Sequence, residues 1–365
     1  MRAAQAFSNR FEVATLSSGR RPVQRAAEPK FAIVCHHRIG RGGVPYYSSF
    51  SPEAFEEQIR FLRRNYQIVS MEELYRGLDE TDSRVQAVAI TFDDGYRDVY
   101  TQAFPILRQY RIPAMVYLTA AAIETGEASW YDRVFAVAMN SRRYALEIEI
   151  DGPKRFILAS PESRMLAATE IVKAFRGCPN RTRLTACAAL ESQASVPAAE
   201  TRDRMLTWQQ IREMQKAGIS FGAHTMSHPV VGRLEPDEKQ EELGDSKRLL
   251  EERLQQSMEH FAYPFGSVSD VDAETCSLMP GFGYRSAVST AWGINVPKTN
   301  RFLLRRIGGE VPSLPLFSFY LRQLFLSTPE APADLKSLEQ AVQYRMAPRE
   351  NATGEFGHIP EVHRA

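Results

Sequence analysis

This 365-residue chain has no long apolar run. Its longest apolar-looking segment, residues 112–123, is interrupted by Pro113 and is shorter than the roughly 20 residues that a membrane-spanning helix needs. The first 30 residues are rich in Arg, Ala and Ser and lack the apolar centre of a signal peptide, so the expectation is a soluble, cytoplasmic protein. Net charge is nearly absent, at +1, which excludes the broad basic footprint of a nucleic-acid binder. Cysteine is sparse. Cys35, Cys178, Cys187 and Cys276 are scattered with no C-x-x-C pair, and they read as free, mostly buried thiols in a reducing compartment. Histidine is sparse too: His36, His37, His224, His228, His260, His358 and His363 are all there are, so any imidazole chemistry rests on very few residues. No internal repeat or low-complexity block is visible.

What is present is a globular composition, 44% hydrophobic and 24% charged, on a chain long enough for one large domain or two. Residues 1–29 read as a weakly ordered extension. Phe31-Ala32-Ile33-Val34-Cys35 is a first buried strand. Ser51-Pro52 opens a helix as cap and first residue, with Phe55, Ile59 and Leu62 on one face. Ser70-Met71-Glu72-Glu73 is a capping box that starts another helix. A strand over residues 85–90, a helix over about 98–110 and a strand over 114–118 follow. Residues 140–205 break this rhythm with a short alternating stretch and Ala- and Arg-rich helical sequence, and read as an insertion. The alternation then resumes with a helix over 207–217, a strand before His224, a long charged helix over 236–254, the strand Phe261-Ala262-Tyr263, a helix near 273–278 and a strand over 286–289. Repeated strand–helix alternation predicts a parallel sheet, closed or nearly closed as a barrel, with its chemistry at the strand ends. The apolar stretch 314–326 predicts a buried or dimerising helix within a helical segment 313–347, and residues 348–365 a disordered polar tail.

Two strand ends carry the residues that matter. In Thr91-Phe92-Asp93-Asp94-Gly95-Tyr96 two adjacent carboxylates follow a buried strand. Successive strand residues point to opposite sides, so a tight turn at Gly95 is needed to bring both into one pocket. Adjacent carboxylates repel unless a cation holds them. About 130 residues on, His224-Thr225-Met226-Ser227-His228 follows another strand, and a spacing of four stacks both imidazoles on one face of a helical turn. An Asp with two His and open positions for water is a catalytic zinc arrangement. An isolated Asp-Asp-Gly is more often a turn and helix cap, and a lone His pair is often a surface accident. The combination, at two strand ends of a repeating chain, is far more specific than either part.

These residues resemble the polysaccharide deacetylase family, the carbohydrate esterase family 4 enzymes with the NodB-homology domain, in its exopolysaccharide-associated type. Thr91-Phe92-Asp93-Asp94-Gly95 is similar to the first family motif and His224-Thr225-Met226-Ser227-His228 to the second; Phe261-Ala262-Tyr263-Pro264-Phe265-Gly266 resembles a divergent third. The resemblance spans most of residues 30–310. It implies an α/β fold, a distorted (β/α) barrel with a helical insertion, a domain over 30–312, and hydrolysis of N-acetyl groups on amino sugars of a polysaccharide or oligosaccharide. It also implies Asp94, His224 and His228 as ligands of a divalent metal, zinc first and Co2+, Ni2+ or Mn2+ as alternatives, and Asp93 as general base. Phe265, through its backbone N–H, and Tyr263 fall at the implied oxyanion and substrate position. Trp130-Tyr131-Asp132 also looks like this group, with Trp130 and Asp132 at the substrate.

The chain departs from the family in two places. The third-motif arginine that orients the base is replaced by Ala262, and Arg305 or Arg306 could supply the guanidinium, with Arg306 the choice here. No late Leu-x-x-His follows to serve as general acid. Cys35-His36-His37-Arg38-Ile39 is similar to the Tyr-His-x-Val segment of biofilm-polysaccharide deacetylases, which assigns the acid to His37; these His could instead merely cap the strand end. His260 reads as structural. The partner expected is a glycan with an N-acetylated amino sugar, not nucleic acid or membrane. Two other readings stand beside it: a deacylase of a lipid- or nucleotide-linked sugar or other small amide, and a non-catalytic glycan-binding relative.

Overall fold

A computed structural model describes residues 28–40, 50–80, 85–194, 204–267 and 269–326. The expected N-terminal extension up to residue 27 and the expected tail 348–365 lie outside the described residues, as does the helical segment beyond 326.

Ten strands are present among the described residues: β1 (Lys30–His36), β2 (Gln67–Ile68), β3 (Gln86–Phe92), β4 (Met115–Leu118), β5 (Ala145–Glu149), β6 (Pro153–Ile157), β7 (Ser220–Ala223), β8 (His260–Ala262), β9 (Ser286–Trp292) and β10 (Leu304–Gly308). Seven of them close a parallel barrel in the order β1-β10-β9-β8-β7-β4-β3, with β3 returning to β1 in unbroken register from Lys30 opposite Gln86 to His36 opposite Phe92. The short β2 extends the sheet from β3 near its start, opposite Ala87 and Val88, whereas β4 joins β3 at its end, opposite Thr91 and Phe92. The distorted (β/α) barrel expected from the alternation is therefore the fold.

Strand parity sorts the core into two packed sets. Phe31 and Ile33, Ala87 and Ala89, Met115 and Tyr117, Ala262, Val288 and Leu304 pack together with Met71, Leu74 and Leu78. Those last three belong to, or end, the helix Met71–Gly77, whose capping box is formed as the sequence predicts. The alternate residues, among them Val34, Val88, Ile90, Phe92, Val116, Leu118, Phe221 and Phe261, join the outer helices in the main core. The first set fills the barrel interior, and it is tight: a Cβ on Gly222 would meet the His260 carbonyl and the Tyr117 ring at 2.6 Å, so only glycine fits there.

The helices close the outer layer. Pro52–Asn65 (α1) is capped by Ser51, whose side chain accepts the Ala54 N–H. The helix expected over 98–110 is present, with a π-helical first turn at Val99–Ala103. Between β4 and β7 the chain forms Ala120–Thr125, Trp130–Asn140 (α2), the β5–β6 hairpin, Pro161–Gly177 (α3) and Asn180–Ser192 (α4). The helix over 236–254 is likewise interrupted by π-helix at Gln240–Asp245. Leu314–Leu326 lies against the barrel, with Phe317 edge-on to Phe61 and Phe325 stacked on Tyr66.

Candidate metal and catalytic site

Alternation along β3 sends Ala87, Ala89, Thr91 and then Asp93 to the barrel interior. Asp94 should then point away. It does not, because the turn is sharper than a single glycine makes it: Asp94 itself has φ 72° and Gly95 φ 84°. Asp is among the few non-glycine residues that take the left-handed region at modest cost. Both carboxylates thus reach the C-terminal mouth of the barrel.

His224 follows the last residue of β7. The expected helical turn is absent, and His224 and His228 lie on a loop held by positive φ at Thr225 (64°) and His228 (60°). The loop is closed by its own hydrogen bonds, since Thr225 Oγ1 accepts the His228 N–H at 2.9 Å. It is tied to the chain after β4 by Ala120 and Ala121 N–H groups donating to the Thr225 and Met226 carbonyls. The two imidazoles meet edge to face, centroids 4.9 Å apart. Their Nε2 atoms stand 3.3 Å (His224) and 3.2 Å (His228) from Asp94 Oδ1, all three side chains fully buried. His224 Nδ1 faces the Ala262 carbonyl at 2.7 Å. That carbonyl can only accept, so Nδ1 carries a proton and Nε2 is the nitrogen turned to the carboxylate oxygen. Two imidazole nitrogens and a carboxylate oxygen converge in a dry pocket, and two imidazoles with one carboxylate are a borderline ligand set that zinc and its neighbours suit. The donor set therefore fits a divalent metal.

Asp93 faces the other way. Arg306 Nη1 and Nη2 donate to its two oxygens, each at 2.7 Å, and Arg306 Nε donates to the Ser289 carbonyl at 2.8 Å. Both partners are 2% exposed. Burial pushes the Asp93 carboxyl up, but the Arg306 guanidinium, with His224 behind it, holds it below its ordinary value. Arg305 does not reach: its side chain lies against Gly293.

His37 completes the pocket. One of its ring nitrogens, the Cys35 thiol and an Asp93 oxygen lie within 4.8 Å of one another. Glu310 accepts the His37 and Arg38 N–H groups, at 2.6 and 3.2 Å, and stands 3.6 Å from His37 Nδ1. Burial would lower the imidazole, but the Glu310 carboxylate, helped by Asp94 and Asp93, raises it to about 9. The neighbouring His36 is different. Burial brings it down to about 4, and it is held by Gln58 at 2.7 Å within a cage of Phe50, Phe55 and Phe92.

The remaining expected site residues are divided. Phe265 has φ 59°, a partly exposed ring 4.9 Å from His228, and an N–H without a protein acceptor among the described residues. Tyr263 is enclosed, its hydroxyl 3.8 Å from Cys276 Sγ, because strand parity places it with Phe261 on the outer side; its ring is not open to substrate. Trp130 is enclosed too, donating Nε1–H to the His228 carbonyl at 3.0 Å, so it holds the ligand loop and offers no face for a sugar. Asp132 accepts the Tyr96 hydroxyl at 2.7 Å, and burial raises it to about 6. His260 lies at the opposite end of the barrel, paired with Ser286 at 2.8 Å. Glu310 and the carboxylate of Glu242, which accepts the Met226 and Ser227 N–H groups at 2.9 Å, carry no sequence signal that would have marked them.

A family model described as polysaccharide deacetylase matches residues 80–287. The putative polysaccharide deacetylase YxkH of Bacillus subtilis is 24% identical over 284 residues, 76% of this chain and 71% of that protein. The poly-beta-1,6-N-acetyl-D-glucosamine N-deacetylase of Escherichia coli K12 is 41% identical over 88 residues, which are 23% of this chain and only 13% of that protein. In structure, the Streptococcus pyogenes deacetylase PplD, solved in complex with acetate, superposes with a TM-score of 0.54 at 22% identity, over 81% of this chain and 98% of that one. IcaB from Ammonifex degensii superposes at 0.53 and 19% identity, over 80% and 97%. Those two likenesses bear on the fold.

Proposed function

This chain belongs to the polysaccharide deacetylase family, a family of hydrolases acting on carbon–nitrogen bonds, and from that premise we propose that it removes N-acetyl groups from amino sugars of a polysaccharide or oligosaccharide in a metal-dependent reaction. One observation carries the mechanism: the Asp94–His224–His228 trio converges beside an Asp93 held by Arg306, with His37 against Asp93. Asp94, His224 and His228 hold the metal, zinc first. When bound, that ion supplies Lewis acidity and lowers the pKa of water.

The chain's own residues do the rest. Asp93, ionised at neutral pH, is the general base that takes the proton of the attacking water. Arg306 occupies both of its oxygens in one plane, which fixes the carboxylate's direction without neutralising it by protonation. As the new C–O bond forms at the acetyl carbon and the C–N bond breaks, His37, protonated at neutral pH, delivers its proton to the leaving amine, giving acetate and a free amino sugar. The Phe265 N–H is the donor for the developing oxyanion. The Escherichia coli relative, a poly-beta-1,6-N-acetyl-D-glucosamine N-deacetylase, supports an N-acetylglucosamine polymer as the first substrate to try.

The test is metal analysis together with acetate release from chitooligosaccharides and β-1,6-linked N-acetylglucosamine oligomers. The expected result is close to one metal per chain and acetate from at least one series. Bound metal without acetate from any sugar would move the reading to another amide, such as a lipid- or nucleotide-linked one. No bound metal would move it to a glycan-binding relative.

A further inference from the structure

The segment between β4 and β7 does more than decorate the barrel. Its helix α4 sends Arg183 into the protein beneath the loop that carries His228, where it is 3% exposed. Arg183 Nη2 donates to Ser227 Oγ at 2.8 Å, one residue before His228. It also donates to Asn180 Oδ1 at 2.6 Å, with Nε on the same oxygen at 3.2 Å. The Ser227 hydroxyl in turn donates to Glu242, whose other oxygen holds the Met226 and Ser227 N–H groups. Arg183 carbon Cζ lies 5.2 Å from the centre of the Trp130 ring, and that indole N–H is bonded to the His228 carbonyl. One buried cation therefore braces the His228 loop along two routes, through Ser227 and through Trp130.

A buried guanidinium whose direct acceptors are an amide and a hydroxyl is costly, with Glu242 answering its charge only across Ser227. Ordinary loop packing does not need it. The loop it braces holds two residues in the left-handed region, Thr225 and His228, a conformation that persists only where its surroundings over-determine it.

We propose that Arg183 is a positioning residue for the metal centre: it preorganises the His228 loop, so the inserted helices set the protein's affinity for its divalent ion. The inference rests on the reading of Asp94, His224 and His228 as metal ligands.

The experiment is calorimetric titration of Zn2+ into chelator-stripped protein, with the visible absorption of the Co2+-loaded form as a second readout. The proteins compared are the wild type, Arg183→Met, Arg183→Lys and Ser227→Ala. Groups that orient metal ligands typically change affinity by 10–100-fold. The expected result is Zn2+ affinity weaker by about tenfold or more in Arg183→Met and several-fold in Ser227→Ala, with an altered Co2+ spectrum. Arg183→Lys should fall between the wild type and Arg183→Met, because it keeps the charge and loses the fork. Metal-free Arg183→Met should melt below the wild type, because buried Glu242 then lacks the cation that answers it across Ser227, and Ser227→Ala should melt less far below it. Unchanged Zn2+ affinity and Co2+ spectra in all three variants overturn the proposal while leaving the metal site standing. A wild type that binds neither ion overturns the metal reading and the proposal with it. Should Arg183→Met fail to fold, Ser227→Ala decides, because it cuts the same brace by a single hydroxyl.

Discussion

Replacing Arg306 by Met should turn Asp93 from a stabilising group into a pH-dependent destabilising one. Met fills much of the volume of the arginine stem and removes both 2.7 Å contacts, leaving a carboxylate 2% exposed. Removing one partner of a buried pair costs about 3–5 kcal/mol. At pH 7 that penalty has a ceiling, because Asp93 can escape it by taking up a proton. Protonating a carboxylate of unfolded-state pKa about 3.9 at pH 7 costs roughly 1.36 × 3.1, or about 4 kcal/mol. With the guanidinium gone, burial dominates and the folded-state pKa rises above the unfolded one. The folded variant then keeps a proton that the unfolded chain releases, so its stability falls as pH rises through that window, by up to about 1.4 kcal/mol per pH unit. The wild type has the opposite sign. Its Asp93 lies below the ordinary value, so its contribution is present above the unfolded pKa and is lost only as pH falls through the folded pKa. The gap between the two proteins should therefore be about 3–4 kcal/mol at pH 7 and shrink by up to about 2.7 kcal/mol by pH 5. Urea unfolding of the metal-stripped proteins at pH 5, 6 and 7 measures it. A gap below about 1 kcal/mol at pH 7, or the same gap at pH 5 and 7, would refute the claim that Arg306 offsets the burial of Asp93.

Asp94→Asn and His228→Ala should each lower bound metal from near one to below about 0.1 per chain by mass spectrometry and cut kcat/KM by about 10³-fold; full metal content in either variant would remove that residue from the ligand set. His37 is raised to about 9 because Glu310 outweighs burial. The His37 contribution to stability is therefore fully present below pH 6.5 and lost as pH rises through about 9. Glu310→Gln should move the alkaline limb of kcat/KM down by more than one pH unit, with KM changed less than threefold, and an unmoved limb would detach Glu310 from the acid. Gly222→Ala should destabilise by about 1–3 kcal/mol, since its Cβ would strike the His260 carbonyl and the Tyr117 ring; a melting temperature within 1 °C of wild type would show that the barrel interior can yield.

What the sequence made legible was whatever the local chain decides. The barrel follows from alternation and caps: Ser51 and the Ser70–Glu73 box start their helices where the sequence puts them. Asp93, Asp94, His224 and His228 were legible because each stands at the end of a strand within a short motif. What failed was judged from spacing without its backbone. A separation of four suggested a helical turn for the histidines, whereas two left-handed residues make a loop. Tyr263 was assigned to the substrate by its motif, whereas strand parity turns it into the helix layer.

The choice between Arg305 and Arg306 shows the boundary most clearly. Plain alternation from Leu304, which packs inside the barrel, favours residue 306, and it survives the β9–β10 register shift between Leu304 and Arg306 because the two extra residues lie on β9. Only the closed sheet decides that Arg306 meets Asp93. The same strand end carries Glu310 to His37, a contact 273 residues apart in sequence between groups of no special local pattern. Residues 306 and 310 thus bring the proposed base and the proposed acid under the control of one strand end. A perturbation that slides β10 along β9 would move both orienting groups together, so it should impair proton removal and proton delivery at once, where changes at Arg306 or Glu310 alone separate them.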